Sequence, residues 1–263
     1  MHQERSNEIL RLMLLEARDA SIPAIFWNKE DDVHYERFVE SARYFDYVYT
    51  VDENCVARYK RDIPSVRLVE PLLFSVQPLF HNPDVLVKKY SNRSCFVGSY
   101  GTHIHPRRRA WQDMLFETFS PSGLDVYDRN SARHAAHYRY PTLPGLEVRS
   151  SVPYAMTAKL YKSYKFNLNV NTIESSPTMF SRRLIEILAV GGVAISTPSL
   201  AASRLFSECC HIVKSKEELA AIVSWSEHEY RMATERARYG AELVARDHTW
   251  GRRIEQFERA KII

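Results

Sequence analysis

The chain has 263 residues, 45% of them hydrophobic and 26% charged, which is the composition of a globular protein with a sizeable core. Its net charge of +4 suits an anionic ligand but is too small to indicate nucleic-acid binding. There is no apolar run of the roughly 20 residues that span a bilayer, no cleavage-like site near the N-terminus, and no metal-ligand spacing among the four cysteines. We therefore expect a cytoplasmic protein without a signal peptide, a metal site or a nucleic-acid partner.

The first third of the chain alternates helical and strand patterns. Apolar residues at helical spacing predict helices, and short apolar runs between them predict strands. The predicted helices are 6–19, 33–44 and 53–61, and the predicted strands are 22–27, 47–51 and 66–69. This βαβαβ order predicts a parallel sheet, half of a Rossmann-like unit.

Titratable side chains follow the first predicted strand, at the edge where parallel sheets bind ligands. Glu30, Asp31 and His34 lie there, and each can act as a general base. The alternative for each carboxylate is a solvated charge or a helix cap. Asp32 is expected to cap the helix that follows.

Residues 71–83 contain three prolines and no clean period, which predicts the linker between two lobes. A predicted strand over 94–97 then runs into the glycine turn 98–101, where the backbone can approach a ligand closely. Pro106 begins a predicted helix with three arginines, 107–109, in its first turn. These features predict a diphosphate site, with a solvated basic helix start as the alternative.

Residues 131–150 hold several histidines and tyrosines without a clear period and predict a packed loop. The remaining patterns continue the α/β alternation. They predict strands over 124–127 and 212–213, and helices over 153–164, 200–206, 217–225 and 228–246.

The stretch 165–198 predicts a strand, a polar loop, a helix and a second strand, which is a βαβ unit. Gly191 and Gly192 end the helix. Its N-terminus carries Arg182 and Arg183 beside several hydroxyls, a combination that favours phosphate. Glu186 shares a helix face with Arg183 and suits a ribose diol. The alternative is an amphipathic helix with an internal ion pair.

The run SPTMFSRRLIEILAVGGVAISTPS resembles the C-terminal domain of the glycosyltransferase group 1 superfamily and, more narrowly, its CgeB-like (spore maturation protein) branch. Segments 22–38, 45–52 and 96–100 resemble the same branch. The resemblance implies an α/β protein of the GT-B fold, with two Rossmann-like lobes of parallel sheets facing a cleft and the N-terminal lobe reduced. It divides the chain into an acceptor-side lobe, a nucleotide-sugar lobe and a closing helix that crosses back to the first lobe, at residues 1–83, 84–246 and 247–263.

The resemblance implies a hexosyltransferase-like enzyme that moves a sugar from a nucleotide-diphosphate sugar, with UDP-sugar the expected donor, to a hydroxyl of a glycan or small-molecule acceptor. The pathway it implies is glycan or cell-surface polysaccharide synthesis. No metal or other cofactor is expected to be required, because GT-B enzymes neutralise the leaving diphosphate with cationic side chains and helix dipoles. Glu186 matches the acidic residue that holds the donor ribose, and Arg182 or Arg183 matches the diphosphate side. Thr178 stands where many retaining members carry a second glutamate.

The predicted site has a catalytic set and a donor-binding set. The catalytic set is Asp31, Glu30 and His34, and the donor-binding set is Gly98, Ser99, Tyr100, His103, Arg107, Arg108, Lys165, Ser176, Thr178, Met179, Arg182, Arg183 and Glu186. Two alternatives stay open: a non-catalytic nucleotide-sugar-binding module or partner subunit, which the short first lobe and Thr178 favour, and a sugar-nucleotide epimerase of the same fold. Peripheral membrane association, and membership of an oligomer or a longer chain, also stay open.

Overall fold

The computed structural model describes residues 6–263, which group into two compact units. Unit 1 comprises the chain up to Phe74, Ser176–Met179 and Gly251–Ile263, and unit 2 comprises Ser75–Ser175 and Phe180–Trp250. Within residues 6–263, no helix has the length and apolar character needed to cross a membrane. The predicted roles of 1–83, 84–246 and 247–263 stay predictions.

Unit 1 is built on a three-stranded parallel sheet in the order β1-β2-β3. Its strands are β1 Ile25–Asn28, β2 Tyr47–Thr50 and β3 Leu68–Pro71, and its helices are α1 Glu8–Asp19, α2 Tyr35–Ala42 and α3 Val56–Asp62. Successive side chains of a strand point to opposite faces, so the sheet needs cover on both sides. Val48 packs with α2 and α3 on one face, and Tyr49 packs on the other face with Phe257 of α10 (Trp250–Arg259).

Unit 2 is built on a six-stranded parallel sheet in the order β6-β5-β4-β7-β8-β9. Its strands are β4 Ser91–Gly98, β5 Leu124–Asp128, β6 Leu146–Ser150, β7 Tyr164–Asn169, β8 Ala194–Ser196 and β9 His211–Ile212. Its helices are α4 Pro106–Phe119, α5 Tyr154–Ser163, α6 Arg182–Ala189, α7 Leu200–Phe206, α8 Lys216–Val223 and α9 Glu227–Asp247. The chain starts this sheet at β4, in its centre, and builds outward first on one side and then on the other. This is the strand order of a Rossmann-like domain, with its reversal between β4 and β7.

The packed loop predicted over 131–150 is wrong in its last five residues, which form the edge strand β6. Four of these five residues, Glu147 to Ser150, are exposed, and only Leu146 is partly buried. Leu146 and Val148 alternate with Glu147 and Arg149, so the segment does carry the two-residue period of a strand, but over only four residues.

Candidate functional site

The carboxyl ends of β4 and β7 lie side by side where the strand order of unit 2 reverses. Chain connections leave these two strands in opposite directions, which opens a crevice above them where doubly wound sheets bind ligands. Gly98 ends β4 and Asn169 ends β7. Both residues are buried, so ligand contacts at this edge must come largely from the side chains around them.

Arg183, in the first turn of α6, lies across this edge. Its Nε donates to the carbonyl oxygen of Val97 at 2.6 Å, and its Nη1 lies 3.4 Å from Oδ1 of Asn169. The guanidinium carbon is 4.6 Å from the ring centroid of Phe96. A Cβ atom on Gly98 would lie 2.7 Å from Nη2 of Arg183. The absence of a side chain at Gly98 therefore leaves space for the guanidinium group.

Two further arginines approach Arg183. Arg108 of α4 donates from Nη2 to the carbonyl oxygen of Ser99 at 3.2 Å, and its Nε is buried without a hydrogen-bond partner. Arg129 is exposed directly after β5. Burial and the neighbouring charge of Arg183 lower the pKa of Arg108 to about 10, and burial also lowers the pKa of Arg183. The site therefore concentrates positive charge and removes part of its water.

We call Arg108, Arg129 and Arg183 the arginine cluster. Among residues 6–263, no carboxylate lies within ion-pair distance of any of these three side chains. Desolvated like charges without a counter-ion are costly in the folded state, and a bound anion would offset that cost. The planar guanidinium matches the geometry of phosphate oxygens. The arginine cluster is thus a candidate anion site.

A pocket opens beside Arg108. Its lining includes Ser99, Tyr100 and Gly101 from the turn after β4, and Asn130 from the loop after β5. The predicted residues Ser99, Tyr100 and Arg108 line this pocket, and both Arg108 and Gly98 are neighbours of Arg183.

Glu186 lies one turn into α6 and is only 4% exposed. Arg182 places Nε 2.9 Å from Oε1 of Glu186 and rests its guanidinium 5.3 Å from the ring centroid of Tyr154. Burial raises the pKa of the Glu186 carboxyl, and the charge of Arg182 opposes that rise. The internal ion pair that the sequence left as an alternative does form, with Arg182 as the partner.

Two other predicted residues follow β4: His103 lies in the loop before α4, and Arg107 lies in the first turn of α4. Arg107 is exposed and forms a bidentate ion pair with Glu174, at 2.7 Å from Nε and 2.5 Å from Nη2. The exposed ring of His103 lies 4.0 Å from that of His137. Within residues 6–263, neither of these two side chains contacts a member of the arginine cluster.

The prediction that Lys165 binds the donor is wrong. Lys165 is the second residue of β7, at the amino end of the strand, and its Nζ lies 5.3 Å and 5.2 Å from the rings of Phe166 and Tyr230. The four residues from there to Asn169 span roughly 13 Å. The ammonium group is therefore at the opposite edge of the sheet from the arginine cluster.

The predicted hydroxyl donors of the 171–181 loop are also engaged elsewhere. Ser176 Oγ donates to Oδ1 of Asp52 at 2.6 Å, and Thr178 Oγ1 donates to the carbonyl oxygen of Val51 at 2.9 Å. The backbone N–H of Met179 donates to Ser176 Oγ at 2.9 Å. All three groups belong to unit 1, and neither hydroxyl keeps a proton for a phosphate, which corrects the role predicted for them.

Asp31 lies in a buried hydrogen-bond network. Its side chain is buried and accepts from Asn28 Nδ2 at 2.6 Å, Thr50 Oγ1 at 2.6 Å and Tyr59 O–H at 3.2 Å. Burial raises its pKa to about 6. Its burial and these three donors give Asp31 a place in a hydrogen-bonded network, and the catalytic role predicted for it stays a prediction.

The other two members of the predicted catalytic set are more accessible. Glu30 is exposed and His34 is half-buried at the start of α2. Asp32 does not cap α2; it pairs with Arg58 at 3.0 Å. The catalytic roles of Glu30 and His34 stay predictions. Across residues 6–263, no three His, Cys, Asp or Glu side chains are grouped so that they could hold a metal ion.

Sequence reasoning missed Arg129, Asn169 and Tyr154 as parts of this region. A usable signal existed for Asn169, because an asparagine at the carboxyl end of a buried apolar strand needs a polar partner. Arg129 follows a predicted strand directly, which is the position of ligand contacts in parallel sheets.

The family comparison agrees with this geometry. The family model described as glycosyl transferase-like matches residues 107–259, more than half of the chain. The protein therefore belongs to this glycosyl transferase-like family. No curated protein matches the chain in sequence. The narrower assignment to the CgeB-like branch stays a prediction.

Solved structures with the same fold include several glycosyltransferases. A glycosyltransferase from Rickettsia africae matches with a TM-score of 0.65 and 11% identity over 100% of this chain and 84% of its own. Anabaena HepE in complex with UDP-glucose matches with a TM-score of 0.65 and 10% identity over 97% of this chain and 76% of HepE. The pneumococcal O-GlcNAc transferase GtfA in complex with UDP and GlcNAc matches with a TM-score of 0.57 and 12% identity. The match covers 97% of this chain but only 55% of GtfA. The predicted α/β, GT-B type fold is confirmed.

Proposed function

We propose that this protein transfers a hexose-like sugar from a nucleotide-diphosphate sugar to a hydroxyl of a glycan or small-molecule acceptor, with UDP-sugar as the donor. The observation that carries the proposal is the arginine cluster, in which Arg108 and Arg183 are desolvated beside each other without a carboxylate partner. The family match and the UDP-bound neighbours support the same reading.

In this proposal the arginine cluster holds the diphosphate. Negative charge grows on the diphosphate as the bond to the sugar breaks, so cations fixed in advance lower the barrier. Arg183 is fixed by Val97, Asn169 and the Phe96 ring, and so it need not reorganise during the reaction. Because guanidinium groups supply this neutralisation, we propose that the transfer requires no metal.

The acceptor hydroxyl loses a proton during transfer. With Asp31 buried, Glu30 and His34 are the members of the predicted catalytic set that can take it. We propose Glu186 as the ribose contact, which requires the ribose hydroxyls to share the carboxylate with Arg182.

Isothermal titration of UDP into Arg108→Gln and Arg183→Gln tests the diphosphate site. Loss of one charge-assisted hydrogen bond costs about 1.5–3 kcal/mol, so each variant should bind roughly ten- to a hundredfold more weakly than wild type. Arg231→Gln, which changes an exposed arginine of α9, is the matched control and should bind like wild type. Wild-type affinity in both cluster variants, with unchanged circular dichroism, would rule out this site.

A second function is favoured by one observation, the burial of Asp31 among three hydrogen-bond donors: binding of a nucleotide sugar without turnover. Release of free nucleotide from UDP-, GDP-, ADP-, dTDP- and CMP-sugars, with and without glycan acceptors, separates the candidates. Acceptor-dependent release supports the transferase. Isomerisation of the donor without release indicates an epimerase, and binding without either reaction indicates a non-catalytic module.

A further inference from the structure

Exposed apolar side chains are concentrated in the irregular segment 77–90, which precedes β4. Leu79, Leu86 and Tyr90 are 78%, 87% and 68% exposed, and Phe80 is 42% exposed. Scattered exposed apolar residues are ordinary, but several in one short segment indicate a surface that is covered in use.

This segment runs along α5. The ring of His81 lies 5.0 Å from that of Tyr154 at the start of the helix, and Lys162 Nζ, near its end, donates to the carbonyl oxygen of Pro83. Tyr154 and Met156 add two further side chains that are each 42% exposed. Ten residues of helix rise about 15 Å, and the contacts of residues 81 and 83 reach from one end of the helix to the other. We call residues 77–90 with Tyr154–Ser163 the loop–α5 surface.

Most of the charged side chains on this surface are positive. It carries four lysines, Lys88, Lys89, Lys159 and Lys162, and a single acidic residue, Asp84. Its net charge of +3 is most of the +4 of the whole chain. The surface therefore combines projecting apolar groups with a positive field.

We propose that the loop–α5 surface docks on an anionic lipid membrane. Protein interfaces are depleted in lysine, whereas membrane surfaces attract lysines to their phosphates while apolar side chains enter the headgroup region. Lysine stems are long enough to lie along apolar surface and still reach the lipid phosphates. Leu79, Leu86 and Tyr90 are the inserting side chains in this arrangement, and Lys88 and Lys89 are the adjacent cations.

A second exposed apolar face, on α1, has the opposite charge balance. Ile9, Leu12 and Met13 are all more than half exposed. The helix carries three acidic residues and two arginines, so an anionic surface repels it. This face provides the control for the experiment.

Co-sedimentation of the full chain with vesicles tests the proposal. We expect binding to vesicles of phosphatidylcholine with 30% phosphatidylserine. One lysine near such a surface contributes about 1 kcal/mol, so Lys88→Gln/Lys89→Gln should lower the partition coefficient about thirtyfold. Leu79→Ser/Leu86→Ser should lower it at least tenfold, because two exposed leucines no longer enter the lipid. Added salt should weaken the binding of wild type.

The controls are Leu12→Ser/Met13→Ser on α1 and Lys60→Gln/Lys214→Gln at exposed lysines elsewhere, and both should partition like wild type. UDP affinity measured on every variant reports whether unit 2 stays folded, so a failure of membrane binding is distinguishable from a failure of the nucleotide site. Absence of vesicle binding, equal binding to pure phosphatidylcholine, or a concentration-dependent dimer that Leu79→Ser/Leu86→Ser abolishes would each overturn the proposal.

Discussion

At the scale of single residues, the Arg183 guanidinium can occupy its position because residue 98 is a glycine. The guanidinium group spans β4 and β7, and it stacks on Phe96 in the space beside Gly98. Arg108 reaches the same region from α4 and is held by the carbonyl oxygen of Ser99. The arginine cluster is therefore ordered largely by backbone carbonyls, which fix its geometry without neutralising its charge.

Gly98→Ala should displace Arg183, because the new methyl group would lie 2.7 Å from Nη2 and from the ring of Phe96. We expect UDP affinity to fall about tenfold or more through the lost contact, and stability to fall by about 1–3 kcal/mol through overpacking. Arg231→Gln, at an exposed position of α9, is the control and should leave both quantities unchanged. Isothermal titration and urea unfolding measure the two effects. Unchanged UDP affinity in Gly98→Ala would contradict the role assigned to Arg183.

At the scale of elements, the loops that follow β1 and β2 are held together by a buried polar network. Asp31 accepts from Asn28 at the end of β1, from Thr50 at the end of β2 and from Tyr59 of α3. A buried carboxyl group that is satisfied by neutral donors couples these loops to pH. The network therefore gives Asp31 a structural role, whatever its part in a reaction.

The pKa of Asp31 is about 6 in the folded protein against an ordinary value of 3.8, so the folded state binds this proton more tightly than the unfolded chain. The resulting stabilisation is present in full below about pH 3.8 and is lost as the pH rises through 6. The two pKa values correspond to about 3 kcal/mol. Urea unfolding between pH 4 and 7 should therefore show wild type losing more free energy of unfolding than Asp31→Asn.

Asp84→Asn, at an exposed position of unit 2, is the control and should keep the wild-type slope. Identical slopes for wild type and Asp31→Asn would show that Asp31 keeps its ordinary pKa in the folded protein.

At the scale of the whole molecule, the proposed function assigns different tasks to the two units. Unit 2 alone holds the arginine cluster and the reversal of strand order, and unit 1 holds Glu30 and His34. On the proposed function, donor binding should therefore be a property of unit 2, whether or not a reaction follows.

UDP at a hundredfold excess over its dissociation constant should stabilise unit 2 by about 2.7 kcal/mol. Hydrogen exchange followed by mass spectrometry measures this as slower exchange of the most protected amides in β4 and β7, because a ligand that binds only the folded state suppresses global opening. The double variant Arg108→Gln/Arg183→Gln should lose the effect. Equal protection of wild type and double variant would place UDP elsewhere.

Much of the fold could be predicted from local patterns. The helix–strand alternation, the glycine pair that ends α6 and the proline that begins α4 each depend on residues within a turn or two of one another. The edge strand β6 is the exception, because its two-residue period covers only Leu146 to Arg149 and follows an irregular segment that contains prolines. Arg108 and Arg183 were found because arginines follow a predicted strand end and precede a predicted helix.

Local sequence patterns were enough to establish the alternation of helices and strands and the Rossmann-like class of the larger unit. They also showed that two helices begin with arginines. Only the tertiary structure decided that Arg108 and Arg183 meet, that Glu186 pairs with Arg182, that Lys165 lies at the wrong edge and that Asp31 is buried. The physical reason is the separation along the chain of the residues that interact. Helix and strand periods are set by neighbours in the chain, whereas burial, charge and hydrogen-bond partners are set by residues brought together from distant parts of it.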